Sequence, residues 1–181
     1  MPADVPPLFI RAIAFAAEKH RDQRRKGKNA SPYINHPIAL AHVLSLEAGV
    51  HDTDVLCAAI LHDTVEDTET TEAELIALFG PRIAGMVMDV TDDKTLDKAA
   101  RKQKQVEHAP HISHGGKLVK LADKICNLRD ILHSPPAGWP LARQQEYFDW
   151  AARVIAGVRG THDGLEALFD DIYGRRHELR G

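Results

Sequence analysis

The segment Leu61-His62-Asp63-Thr64-Val65-Glu66-Asp67 sets one imidazole and three carboxylates side by side. His62 and Glu66 are four apart, as are Asp63 and Asp67, so on a helix the four side chains share about one half of the surface. An adjacent His-Asp pair offers a metal ion one nitrogen and one oxygen ligand. Negative charge at a helix C-terminus is also unfavourable without a compensating cation. The neighbouring sequence supplies none: from Asn29 to Pro81 there is no Lys or Arg, while nine acids stand between Glu47 and Glu74. Most acidic runs are solvated loops. This one begins inside the apolar stretch Leu56, Ala58, Ala59, Ile60, Leu61, where carboxylates need another source of positive charge, and a metal ion is one.

Two further segments offer partners. Tyr33-Ile34-Asn35-His36-Pro37 places a histidine at a helix start, with its ring free to point back along the preceding loop. Leu118 to Leu132 carries an apolar stripe (Leu118, Leu121, Ile125, Leu128, Leu132) and a polar one at the same helical spacing (Lys120, Asp123, Asn127, Asp130). Asp123 lies near the core side and could supply a fourth ligand, and Asn127, one turn on, could hydrogen-bond a substrate. Lys19 to Lys28 holds six basic residues against Asp22 alone, which on its own reads as a solvated basic helix end.

These groups must be positioned by helices, because helical periodicity dominates and strand alternation is nearly absent. Helices are expected at Leu8–Arg25, from Asn35 onward, and from Asp52 or Thr53 through the apolar stretch to Asp67. Thr71 opens a short capped helix that closes at Gly80. Others are expected at Pro81–Val90, Leu96–His108, Gly115–His133, Leu141–Val158 and His162–His177. The Pro- and Gly-rich stretch from His133 to Pro140 is a loop within the fold, since helical patterning resumes at once. The expected architecture is all-α, one domain over residues 1–181 with its core at about 8–173.

Composition narrows the class. The chain has 181 residues, 44% hydrophobic and 27% charged, with formal net charge −3. That balance suits an ordinary soluble globule, and the charge argues against a general DNA-binding protein. No apolar run approaches the roughly 18–20 residues of a membrane span, and the N-terminus lacks the layout of a signal peptide. Cys57 and Cys126 lie in apolar surroundings and are expected to be unpaired thiols in a reducing, cytoplasmic compartment. His108, His111 and His114 have metal-like spacing, but Pro110 and Gly115-Gly116 make a loop of that stretch. His20 and the remaining histidines outside the motifs are expected on exposed faces.

The ordered set of His36, His62-Asp63 and Asp123 resembles the H…HD…D signature of the HD phosphohydrolases. The longer pattern is more specific. Arg25-Lys26-Gly27, Tyr33 to Pro37, His62 to Asp67, Val90 to Thr95, and Leu118 to Lys124 with Asn127-Leu128-Arg129 together are similar to the hydrolase domain of RelA/SpoT proteins. The nearest form is the stand-alone small alarmone hydrolase, similar to the metazoan SpoT homologs. The resemblance implies an HD-domain bundle of about eight to ten helices. No synthetase or regulatory segment follows in the sequence, so it implies degradation only.

The resemblance also implies a site. One Mn²⁺ would be held by His36, His62, Asp63 and Asp123, a donor set that would also accept Zn²⁺ or Fe²⁺. Glu66 and Asp67 match the catalytic acidic pair, one of them orienting a water and taking its proton. Arg25 and Lys26 match positions that bind the guanine nucleotide, Asn127 a nucleoside contact and Tyr147 a ring lining the pocket. Lys98 and Arg143 would meet the 5′ phosphates. The implied reaction is removal of the 3′-pyrophosphate from (p)ppGpp, leaving GDP or GTP. Two alternatives remain open: an NADPH 2′-phosphatase, associated with metazoan members of the family, and a non-catalytic nucleotide sensor. An intact Glu66-Asp67 pair argues against the sensor. No nucleic-acid or membrane partner is expected, and the sequence sets no oligomeric state.

Overall fold

Helix α3 (Thr53–Leu61) lies at the centre because almost every face of it is apolar: Val55 and Cys57 to Leu61 are all buried. Asp52 caps its first turn, accepting from the backbone N–H of Asp54 and Val55, and is itself gripped by Arg82. The computed structural model describes residues 6–27 and 29–181. Residues 1–5, part of the stretch read as lacking a leader, and Lys28 of the basic run lie outside them. Among the described residues the only β pairing is two isolated bridges, Arg24 with Pro32 and Gly27 with Pro136.

Around α3 pack α1 (Pro7–Lys19), α2 (Asn35–His42, prolonged by a π-helical turn at Val43–Glu47) and α6 (Pro81–Val90). Between them come the single turn α4 (Thr64–Asp67) and α5 (Glu72–Phe79). Thr71 caps α5 as expected, accepting from the Glu74 N–H at 3.2 Å. Gly80, at φ +86°, joins α5 to Pro81 in a conformation that other residues seldom take. Helices α7 (Lys98–His108), α8 (His114–His133), α9 (Leu141–Ala156) and α10 (Asp163–Gly174) complete the bundle, with short 3₁₀ turns at Ala109–His111 and Arg175–Glu178. The longest, α8, runs twenty residues and packs against α2, α3, α6, α9 and α10. Its buried stripe includes Leu118, Leu121, Ile125 and Leu128, the apolar spacing seen in the sequence.

Three expectations fail, all beside the candidate site. The first helix stops at Lys19, not Arg25. The chain then folds back: Arg25 N–H donates to Ser31 O at 2.9 Å and Tyr33 N–H to Gln23 O at 3.0 Å. His20 anchors this reversal, buried at 2% exposure beneath the Tyr33 ring, so it is not the surface histidine expected. The third helix likewise ends at Leu61 and does not run to Asp67. His62 Nδ1 donates to Ala59 O and Thr64 Oγ1 to Leu61 O, satisfying carbonyls near the helix end. Side chains that compete for backbone partners in this way favour helix ends over helix interiors. The remaining helix ends match expectation or differ by at most three residues, with Pro81–Val90 met at both ends.

Candidate metal and substrate site

His36 enters from the first turn of α2, His62 and Asp63 from the break after α3, and Asp123 from the middle of α8. His36 Nε2 lies 3.2 Å from Asp123 Oδ1. His62 Nε2 lies 3.9 Å from the same oxygen and 2.8 Å from Asp63 Oδ2. Ligand atoms of His36, His62 and Asp123 fall within 4.8 Å of one another, the one such group among the described residues. The His108, His111 and His114 spacing forms no cluster of this kind.

This donor set fits a divalent cation on a local observation. Because His62 Nδ1 meets Ala59 O, Nε2 is the atom turned toward the carboxylates, and it is buried with no hydrogen-bond partner despite its nearness to Asp63. An electron-rich nitrogen facing two carboxylates is a place for positive charge. Burial opposes a charged His62, yet Asp63 and Asp123 outweigh it and push its pKa up to about 9. Burial likewise opposes ionised Asp63 and Asp123, but the two imidazoles, and for Asp123 chiefly Lys124, hold both below the usual carboxylate range. Supports surround the four: Tyr33 O–H donates to Asp63, while Asn127 Nδ2 and Lys124 Nζ donate to Asp123 at 2.7 and 3.0 Å. Such outer partners orient ligands and tune them.

Glu66 and Asp67 part company. Glu66 lines the cavity with the four candidate ligands, a space of about 170 Å³. Its Oε2 accepts from Asp92 N–H at 3.0 Å. Burial, countered by that N–H, and the nearby acids push its pKa up to about 7. Asp67 turns outward to a second space, where Gln23 Nε2 and Lys94 Nζ donate to it at 2.9 and 2.6 Å.

That second space is a groove of about 870 Å³. Arg25, Lys26, Lys98, Asn127, Arg143 and Tyr147 all line it, so every residue proposed for substrate contact from the sequence is gathered here. Arg25 lies in the fold-back loop, donating to Asn127 Oδ1 at 3.2 Å and Asp130 Oδ2 at 2.5 Å, with its guanidinium 5.7 Å from the Tyr33 ring centre. Arg143 stacks 4.2 Å from the Trp139 ring centre. Arg25, Tyr33, Asn127 and Tyr147 border both spaces, so the groove opens onto the acidic cavity. Burial pushes the Tyr147 phenol up to about 12.

Several site residues escaped sequence reasoning. Trp139, an aromatic among loop-breakers, was a readable signal. Lys120 stood on the polar stripe of α8 but received no role, although it is 5% exposed and lines the cavity. Gln23, Lys94 and Lys102 carried no signal, because their partners come from distant segments.

A helical bundle that collects two histidines and two aspartates from two helices and the break between two others defines the HD class, and residues 12–149 match the HD domain family. Over 169 residues, 93% of this chain and 94% of the relative, it is 52% identical to the guanosine-3′,5′-bis(diphosphate) 3′-pyrophosphohydrolase MESH1 of Danio rerio. The human protein of the same name is 54% identical over 168 residues, again 93% and 94% of the two chains. A solved structure described as a metazoan ortholog of SpoT that hydrolyzes ppGpp superposes with TM-score 0.93 at 46% identity, covering 98% of this chain and 100% of that one. The chain belongs to the HD domain family, on its RelA/SpoT-type hydrolase branch. HD membership implies a divalent metal, in keeping with the His/Asp cluster.

Proposed function

We propose that this chain is a (p)ppGpp 3′-pyrophosphohydrolase, carried by one observation: a cationic, aromatic-walled groove opens directly onto a buried acidic cavity. The names of the relatives point to the same activity. His36, His62, Asp63 and Asp123 are assigned as the metal ligands and Mn²⁺ as the ion, with Zn²⁺ or Fe²⁺ acceptable to the same donors. When bound, such an ion lowers the pKa of water and offsets phosphate charge. We assign Glu66 as the general base, since its carboxyl borders the cavity and its pKa, pushed up to about 7, suits proton transfer near neutrality. Asp67 holds Gln23 in place at the groove and accepts from Lys94 beside it.

In the groove, Arg25 faces the guanine with its planar guanidinium, Lys26 stands nearby as a point charge, and Asn127 meets the nucleoside. Tyr147 forms the wall between nucleoside and phosphate, while Lys98 and Arg143 meet the 5′ phosphates. Water attacks the phosphorus joined to the ribose 3′ oxygen and gives its proton to Glu66. A new O–P bond forms, the P–O3′ bond breaks, and the 3′ oxygen leaves with the bonding pair and is then protonated. No side chain in the cavity is placed as a covalent nucleophile: Thr64 Oγ1 is spent on Leu61 O, and both cysteines are free and buried in the core. We place the protein in the cytoplasm as one domain, acting without a nucleic-acid or membrane partner. Buried free thiols suit that compartment, and no helix among the described residues is long and apolar enough to cross a membrane.

Hydrolysis in ¹⁸O-labelled water tests this. The label should appear in pyrophosphate released as one piece, with none in the nucleoside. Label in the 3′ hydroxyl, or orthophosphate as first product, would overturn it. The same assay on NADPH decides the 2′-phosphatase alternative.

A further inference from the structure

The acidic cavity holds three basic side chains, and two have protein partners. Lys124 Nζ donates to Asp123 and lies 4.3 Å from the Trp150 ring centre. Arg25 is committed to Asp130 and Asn127. Lys120 is the third. It is 5% exposed, lines the cavity, and has no hydrogen-bonded or ion-paired partner among the described residues. Asp92, the acid across from it, accepts from Gln105 Nε2 on both oxygens, at 2.9 and 2.8 Å.

Burying an ammonium without a hydrogen-bonded partner is costly. Lys120 lines the cavity near the Asp63, Asp92 and Asp123 carboxylates without bonding to any of them, so its charge is placed to meet something that enters there. Lys120 also borders a second, smaller space of about 100 Å³, whose wall holds two buried atoms without partners, Arg101 Nε and Gln105 Oε1. The ammonium therefore faces polar, hydratable space on both sides. Charge balance names the ligand class. A divalent ion is offset by Asp63 and Asp123, which leaves a phosphate group in the cavity with Lys120 as its one uncommitted cation.

We propose that Lys120 is a further catalytic residue of this site, its ammonium binding the non-bridging oxygens of the pyrophosphate group as that group passes to water and departs. The proposal rests on the hydrolase function proposed above.

The test compares wild type, Lys120→Met and Lys120→Arg, all with measured metal content. With Mn²⁺ in excess over pyrophosphate, inhibition by pyrophosphate should weaken at least ~10-fold in Lys120→Met, the loss of one charge-assisted hydrogen bond. Inhibition by GDP should not change, and Lys120→Arg should recover part of the pyrophosphate affinity. Calorimetric titration of pyrophosphate into metal-free protein should show the same order. The metal-free melting temperature of Lys120→Met should equal or exceed wild type, since an unpartnered buried charge has been removed. Unchanged pyrophosphate affinity, an equal loss for GDP, or a clear drop in melting temperature would each overturn the proposal, the last by showing a structural counter-charge. If wild type binds pyrophosphate through Lys120 but does not hydrolyse the alarmone, the proposed activity fails and this site stands. If wild type hydrolyses it and the variants bind pyrophosphate alike, the reverse holds.

Discussion

The acidic cavity and the basic groove share four residues yet are built in opposite ways. In the cavity, His36 and His62 are buried and Asp63 and Asp123 partly so; they come from helix ends and interiors, and the aspartates are bonded to Tyr33, Asn127 and Lys124. Each ligand position is set by several others. In the groove, Lys26, Lys98 and Arg143 are exposed, and faces of α7, α8 and α9 combine with two loops, the fold-back after α1 and the Pro-rich turn before α9. Rigid, desolvated placement suits a site where charge develops. Solvated cations beside aromatic rings suit recognition of a large anion, with each contact contributing modestly.

If that contrast is right, damage in the cavity should abolish chemistry and damage in the groove should weaken binding. The largest effect should follow Asp123→Asn. Metal affinity should fall by more than the ~10–100-fold typical of losing an outer partner, and activity should become undetectable. Asn is preferred to Ala here because Asp123 also pairs with buried Lys124, and removing one partner of a buried pair costs ~3–5 kcal/mol. Metal analysis beside a thermal melt separates the two losses; normal metal content with full activity would break the ligand assignment.

Glu66→Gln should come next, lowering kcat by at least ~10²-fold with metal retained. In wild type, kcat/KM should fall on the acid side through one ionisation at or below about 7, and the variant should lose that limb. Stability gives an independent reading. The Glu66 pKa is raised in the folded chain from 4.5 to about 7, so the folded state holds the extra proton between those values. Its contribution is therefore greatest at low pH and is lost as pH rises through 7. Metal-free Glu66→Gln should gain stability relative to wild type at pH 8 over pH 5, by ~2–4 °C for about 1 kcal/mol after solvent screening.

The smallest effects belong to the groove. Arg25→Ala should raise KM about tenfold, for one charge-assisted contact, with kcat little changed. Trp139→Ala, which removes the ring beneath Arg143, should raise KM only ~2–5-fold, as expected for an exposed cation–π contact. A fall in kcat without a rise in KM for either would collapse the distinction between the two regions.

The sequence by itself determined the helical fold, because that depends on local rules, and its resemblance to a family named the four candidate metal ligands. Periodicity marked α3 and α8, Asp52 and Thr71 announced their caps, and His62-Asp63 with His36 and Asp123 were visible as residue types at telling places. Tertiary structure decided what each group faces. Glu66 and Asp67 are neighbours in the chain, yet the break after Leu61 sends one into the cavity and the other to Gln23 and Lys94. Arg25 was expected on a helix, and it reaches Asn127 only because the chain reverses over His20 and Tyr33. Lys120 and Lys124 are alike on paper, one turn apart on α8, and only packing gives Lys124 a carboxylate and leaves Lys120 without one. A hydrophobic pattern specifies which face turns inward. Whether a polar group there finds a partner depends on segments far away in sequence, and no local rule encodes their approach.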